Sequence, residues 1–553
     1  MRSAFPNLTG RLALAALLLL LPATILPEKK MTPTFQTLLD RSRRFTLPNG
    51  LRVVFLQRGD APVAALYLKI RAGGSDESPE DTGIAHMLEH MLFKGTKIQG
   101  TLDYEAEARY LEIIDRWAMK YDRSRRELEA AQADGAAPEK IEELTRRVEK
   151  WRNRMDLIQS DVAKFRVPDE DSLLYSLNGE RGYNAYTNRD LTSYLVELPS
   201  NRIEVWARIE SDRFKNPVLR EFYTERDVVS EERRMRVENV GSSLLMEKFL
   251  EEVYGDHPYG PSLIGPMEKI LYFNRPQAAR FYQEHYGPDN AVIAVVGRFD
   301  EAEVKGLIEK YFGDWQPRKK HGSEKPGSKH DTIPEVKPQL RRVDVDVRHP
   351  GSPAMFMAWF KPPFPHTDDL KLEVLARILA GSEETRLYRR LVLKDKIAAA
   401  VNIYSGFPGE RYTNMFFLSA VPVLPPQAMS DEAAVAQGYD RIETAVFEEI
   451  ERIAREGVTD EEVSRVKKGI ATELVQGFQS NGNLADSLTY YETITGDYRD
   501  TFLNYDKLNT ITAADVKAVA AQYLKRDIRM MGRLLPPPAQ NNEAPASGEK
   551  EAR

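Results

Sequence analysis

Apolar and polar positions first alternate across residues 44–56, where Asn49-Gly50 separates two short runs. That pattern predicts a β-hairpin turning at Asn-Gly. Residues 63–70 are apolar and β-branched enough for a further strand, which Gly73-Gly74 would end. From Gly83 to Thr96 the period becomes that of a short amphipathic helix closed by Gly95. Residues 103–166 differ in kind. Ile141, Leu144, Val148, Trp151, Met155, Ile158, Val162 and Phe165 recur at spacings of three and four, an a/d heptad stripe. Upstream, Tyr110, Ile114, Trp117, Tyr121, Leu128 and Ala131 keep the register, with Ser124 as the polar exception. Residues 133–138 read as a turn whose proline starts the next helix. The expectation is an antiparallel coiled-coil hairpin with arms of about 40 Å at 1.5 Å per residue. Its surface charges read as a solvated face.

Residues 290–297 are almost wholly apolar, the pattern of a strand buried on both faces, and a helical stretch at 276–286 precedes them. A helical stretch at 513–524 leads into 527–534 in the same way. The two units end Val296-Gly297-Arg298-Phe299 and Met531-Gly532-Arg533-Leu534. Such duplication predicts two similar α/β halves, 43–315 and 341–535, with the hairpin 103–166 inside the first. Residues 316–340, rich in Lys, Gly, Pro and Ser, read as a linker. The polar, proline-rich stretch 536–553 is expected to be disordered.

At 553 residues the chain is too long for one core. Its 42% hydrophobic and 29% charged residues are those of a globular protein. A net charge of −6 lacks the basic footprint of a nucleic-acid binder, so no nucleic-acid partner is expected. Residues 1–27 carry Arg2 and Arg11 around an apolar run at 12–21, followed by Pro22-Ala23-Thr24. That run is short for a spanning helix and reads as a signal peptide or anchor. The chain is therefore expected to be exported, either periplasmic or tethered to the inner membrane facing the periplasm. It has no cysteine, which is compatible with an oxidising compartment.

The candidate chemistry lies in His86-Met87-Leu88-Glu89-His90. On a helix, His86 and His90 project from one face a turn apart, a spacing that suits a tetrahedral Zn²⁺. Glu89 lies on the same face, near enough to address a water on such a metal. His-x-x-Glu-His is the inverted order of the commoner zinc-protease motif. A catalytic site of this kind needs a third protein ligand, and 225–235 reads as a helix with Glu225 and Glu232 two turns apart on one face. Residues 182–194 read as a turn and a strand.

Together His86–His90, the Asn184-Ala185 stretch and Glu225-x₆-Glu232 resemble the pitrilysin, insulinase and mitochondrial-processing-peptidase family of zinc metallopeptidases. Asn49-Gly50-Leu51, Ala72-Gly73-Gly74-Ser75, Lys94-Gly95-Thr96 and His257-Pro258-Tyr259-Gly260 add to the likeness, which spans roughly residues 43–535. The resemblance implies an α+β fold of two related α/β-roll domains facing each other as a clamshell, the coiled-coil hairpin being inserted in the first. It implies one Zn²⁺ per chain, held by His86, His90 and Glu232, with Glu89 as general acid–base. Glu225 would orient a histidine ligand, and Asn184 and Ala185 would pair with substrate as an added strand. The seven-residue spacing favours Glu232 over its neighbour Glu231, and a helix turns Glu231 about 100° away from the face shared by 225 and 232. His257 and His285 lack a partner at ligand spacing.

The second half departs from the family pattern. Active single-chain members carry an Arg and a Tyr seven residues apart, where this chain has Val392 and Ala399. The expected activity is a zinc endopeptidase on extended or unfolded peptides in an enclosed chamber, with a related zinc-less chain supplying the missing pair in a heterodimer. A homodimer is the other arrangement. The alternative function is a non-catalytic or partner-dependent assembly subunit.

Overall fold

The computed structural model describes residues 33–318 and 342–538. The expected signal segment 1–27, most of the linker and nearly all of the tail lie outside the described residues. Eleven strands in these residues form two sheets. The first holds β1 (Ser42–Thr46), β2 (Arg52–Gln57), β3 (Val63–Ile70), β4 (Arg181–Thr187), β5 (Thr192–Pro199) and β6 (Ala291–Gly297). The second holds β7 (Val343–Arg348), β8 (Met355–Lys361), β9 (Ala398–Phe407), β10 (Asn414–Pro422) and β11 (Met530–Leu535).

β1 and β2 form the hairpin that Asn49-Gly50 foretold, with Thr46 opposite Arg52 and Gly50 at φ +94°. The duplication is equally plain. The first sheet runs β1-β2-β6-β3-β5-β4 and the second β7-β11-β8-β10-β9. β6 is parallel to β2 and antiparallel to β3, as β11 is parallel to β7 and antiparallel to β8. Each late apolar stretch thus enters the middle of its own sheet, and every residue of β6 is buried. The stretch at 182–194 is two strands, β4 and the start of β5, with β4 at the edge of the sheet.

The halves are interlocked. One face of the first sheet packs on its own helices, while Val54, Leu56, Tyr67, Ala294 and Val296 on the other face meet Leu484, Ala485 and Leu488. Those last three lie on a helix of the second half, Asn481–Ile494. In return the helix Gly241–Tyr254 of the first half lays Leu245, Phe249 and Val253 on Phe356, Phe417 and Leu534 of the second sheet. Polar ties follow the same boundary. Buried Lys69 reaches Asp486 at 2.5 Å, Glu492 takes Arg44 and Arg52 at 3.2 and 3.3 Å, and Arg411 takes Asp76 at 2.7 Å. Separating the halves would strip an apolar cover from both sheets.

The inserted hairpin is built from the helices Tyr104–Ala133 and Pro138–Val162, about 45 and 38 Å long. Two expectations about it need correction. In the first arm the most buried apolar positions are Leu111, Ile114 and Ala118, with Tyr110 and Trp117 only half-buried. That arm packs against the body of the domain as well as against its partner helix, so its buried face is turned from the simple seam. Nor are its charges all solvated: Glu107 and Asp122 are buried and paired with Arg220 and Arg226.

Candidate metal and active site

The helix Ile84–Leu92 carries the motif. Ile84, Ala85, Met87, Leu88, Met91 and Leu92 are buried, which leaves His86, Glu89 and His90 on the remaining face. Its start is fixed by Gly83 at φ +97°, where a Cβ would come within 2.6 Å of the Ile264 carbonyl. Glu77 accepts hydrogen bonds from the free N–H groups of Gly83 and Ala85 at 2.9 and 2.8 Å. Sequence reasoning passed over this residue, although a carboxylate shortly before a helix is a recognisable capping signal. Burial raises its pKa to about 8.

The second element is the helix Phe222–Arg233, which runs on into a wider turn at Arg234–Glu238. It brings Glu232 Oε2 to 3.8 Å from His86 Nε2 and 3.5 Å from His90 Nε2. One donor atom from each of His86, His90 and Glu232 falls within 4.8 Å of the others. Four ligands at about 2.0–2.1 Å in a tetrahedron stand about 3.4 Å apart. Glu232 Oε2 is buried and has no hydrogen-bond partner among the described residues, an orphaned oxygen aimed between two imidazoles. Such a group is costly unless something positive completes it. The donor set and its geometry therefore fit Zn²⁺. The other oxygen, Oε1, is held by Arg236 at 2.5 Å.

Glu225 lies one layer out. Its Oε1 accepts from His90 Nδ1 at 2.9 Å and its Oε2 from Lys94 Nζ at 2.7 Å. A proton fixed on Nδ1 leaves Nε2 of His90 free to face the cluster. Burial, helped by His90 and Arg236, pushes the His86 pKa down to about 3, so that ring is a neutral donor. Burial also opposes charge on His90, but Glu225, Glu232 and Glu89 outweigh it and raise its pKa. For Glu225 burial favours the neutral acid, yet His90 and Lys94 prevail and hold it ionised. Glu89 is raised above its ordinary value, chiefly by burial, and hydrogen-bonds Thr187. Glu231 instead pairs with Arg234 at 2.8 Å on the exposed side of the helix and does not join the cluster.

These groups line a cavity of about 1040 Å³. Asn184, Ala185, Tyr186 and Thr187 of β4 form one wall, and Val228, Met235, Met246 and Leu263 give it apolar surface. Among the described residues β4 pairs only with β5, through Asn184↔Leu195 and Ala185↔Tyr194, which leaves its outer edge unpaired there. Among the described residues, every one that lines it comes from the first half. Ala399 is exposed on β9 and Val392 packs against the second core; neither lines the cavity. His257 is buried among Tyr254, Tyr259 and Tyr412 and its Nδ1 accepts from the Tyr259 N–H, a packing role.

Two family models match separate stretches of the chain. The model described as "Insulinase (Peptidase family M16)" matches residues 52–114, which contain His86, Glu89 and His90. The model described as "Peptidase M16 inactive domain" matches residues 272–470, which contain none of the cluster. Both models belong to the M16 family. Within it, an uncharacterized zinc protease of Mycobacterium leprae is 24% identical over 493 residues, covering 87% of this chain and 89% of the relative. The zinc protease PqqE of Helicobacter pylori is 23% identical over 503 residues, covering 89% and 92%. A protease of Helicobacter pylori of known crystal structure superposes with a TM-score of 0.68 at 20% identity, over 90% of this chain and 99% of that one. The paired, interlocked halves are thus the M16 two-domain clamshell fold.

Proposed function

We propose that this M16 chain is a zinc-dependent endopeptidase acting on extended or unfolded peptides. The observation that carries the reading is the orphaned Glu232 Oε2 between the Nε2 atoms of His86 and His90, with Glu89 beside them. His86, His90 and Glu232 would hold one Zn²⁺, which when bound activates a water and polarises the scissile carbonyl. Glu89 takes the proton from that water and hands it to the leaving amine; its raised pKa brings it closer to a base working near neutrality. Glu225 keeps His90 in the ligating tautomer. Asn184 and Ala185 offer an open sheet edge, and an extended peptide can add to it as a further strand, read through its backbone.

Among the described residues the first half alone lines the cavity, which favours a second chain as the opposite wall of a closed chamber. A related, zinc-less subunit with the Arg/Tyr pair missing at Val392 and Ala399 is the partner we propose; a second copy is the other. The apolar run at 12–21 motivates export, with the chain periplasmic or tethered to the inner membrane. A non-catalytic assembly role is the second reading, and the absent Arg/Tyr pair favours it.

The test is hydrolysis of a quenched peptide library by the zinc-loaded chain, with Glu89→Gln as control. Cleavage that vanishes in the variant is expected. No cleavage with one zinc bound points to the missing subunit. No cleavage and no zinc overturns the reading.

A further inference from the structure

The inserted hairpin meets the candidate metal site along one line of carboxylates. Glu107, Asp115 and Asp122 lie on the same side of its first helix and face Arg220, just before the helix that carries Glu232, and Tyr223 and Arg226 in its first turns. Asp122 holds Arg226 with two bonds, 3.0 and 3.2 Å, and the Arg226 side chain is 6% exposed. Asp115 accepts from Tyr223 Oη at 3.0 Å and from Arg275 at 2.5 Å. Glu107 holds Arg220 with bonds of 2.8 and 3.2 Å, and neither side chain is more than 3% exposed. Arg220 also donates to the carbonyls of Lys94, Thr96 and Gln99, the loop that leaves the His86–His90 helix. Lys94 in turn bonds Glu225.

The hairpin therefore touches both helices of the site at once. Through Glu107 and Arg220 it fixes the end of the histidine helix; through Asp115 and Asp122 it fixes the glutamate helix. Tyr223 and Arg226 point away from the face that carries Glu225 and Glu232, so none of these groups touches the cluster itself. Beyond this base, Arg125, Arg126 and Glu129 still meet Tyr272 of the body, whereas Glu127 pairs with Arg147 of the other arm. That pair is about two-fifths exposed on each side.

We propose that the hairpin base sets the separation of the two ligand-bearing helices, and that Glu107, Asp115 and Asp122 are positioning residues for Glu232. This rests on the zinc reading above. Buried, two-pronged ion pairs are directional, so losing one lets the glutamate helix shift by fractions of an ångström. A metal site registers such a shift as affinity and coordination geometry. Partners that bond metal ligands directly typically change metal affinity 10–100-fold when altered; these acids stand one layer further out, so the expected change is smaller, about 3–10-fold.

The experiment uses the full chain, stripped of metal. Zn²⁺ affinity is measured by competition with a chromogenic chelator, and coordination by the visible absorption of the Co²⁺-loaded protein. Thermal melting of the metal-free protein checks the fold. Asp122→Asn and Asp115→Asn are expected to weaken zinc binding about 3–10-fold and to change the Co²⁺ bands, which a loss of stability alone would not move. Asp115→Glu should recover most of the affinity, and Glu127→Gln on the distal arm should stay within twofold of wild type. If Asp122→Asn does not fold, Asp115→Asn decides. Wild type that binds no zinc defeats the metal reading itself. Wild type that binds one zinc, with base variants equal to it in affinity and spectrum, overturns this proposal and leaves the hairpin as packing alone. So does a distal variant that weakens binding as much as the base variants.

Discussion

Glu225→Gln isolates one bond of the site. The carboxylate spans two cations in waiting, accepting from His90 Nδ1 at 2.9 Å and from Lys94 Nζ at 2.7 Å. The amide keeps the volume but has one oxygen for two donors, and its NH₂ must face either His90 or Lys94. Whichever loses, the local charge changes by one unit beside a site that binds a dication. Losing the carboxylate partner of a metal-bound histidine costs 10–100-fold in affinity, about 1.4–2.7 kcal/mol. The uncompensated Lys94 places the expectation at the upper end. Chelator competition would show the weaker zinc, and kcat/KM at saturating zinc should return to within a few-fold of wild type, because Glu225 acts through His90. Unchanged affinity would refute this account of the bond. Activity that stays low under saturating zinc would put Glu225 in the chemistry itself.

Glu89→Gln should bind one zinc as wild type does, by metal analysis, while kcat falls by at least 10²-fold, since the proton carrier is gone. The pKa of Glu89 is raised by burial, so kcat/KM should fall as pH drops through a limb lying above the ordinary glutamate range. Because that folded-state pKa exceeds the unfolded one, Glu89 adds stability at low pH that is lost as pH rises through it. Metal-free Glu89→Gln should therefore melt higher than metal-free wild type at pH 8, and equal it near pH 3. Gly83→Ala puts a Cβ 2.6 Å from the Ile264 carbonyl in a left-handed conformation and should cost several kcal/mol, read by denaturant titration. Glu492→Ala removes the buried partner shared by Arg44 and Arg52, which water can partly reach, and should lower stability by about 1.5–2 kcal/mol in the same titration.

What could be read in the sequence was what is local or repeated. Asn49-Gly50 marks its hairpin because only a few residues accept that turn, and the four-residue spacing of His86 and His90 survives any packing of the helix that bears them. The likeness of residues 290–297 and 527–534, each an apolar run closed by Gly-Arg after a helix, carried the two-sheet duplication. The exchange of helices between halves left no such mark. Leu245, Phe249 and Val253 look like any amphipathic stripe, and nothing in their spacing says whose sheet they cover. The hairpin misled for a related reason. Asp122 and Glu107 sit among many exposed acids, and a buried carboxylate is recognisable only once its arginine, about a hundred residues away, is seen beside it. Arg236 on Glu232 and the capping of Gly83 by Glu77 are contacts of that same hidden class.

The central claim is that His86, His90 and Glu232 bind a catalytic zinc. Zinc K-edge X-ray absorption on the loaded Glu89→Gln chain tests it most directly. The prediction is one zinc per chain with two imidazole nitrogens at about 2.0–2.1 Å, carboxylate oxygen at about 2.0–2.2 Å and a further light ligand. The His86→Ala variant should lose that spectrum. Six oxygen neighbours with no imidazole signature, or a spectrum unchanged by His86→Ala, would contradict it.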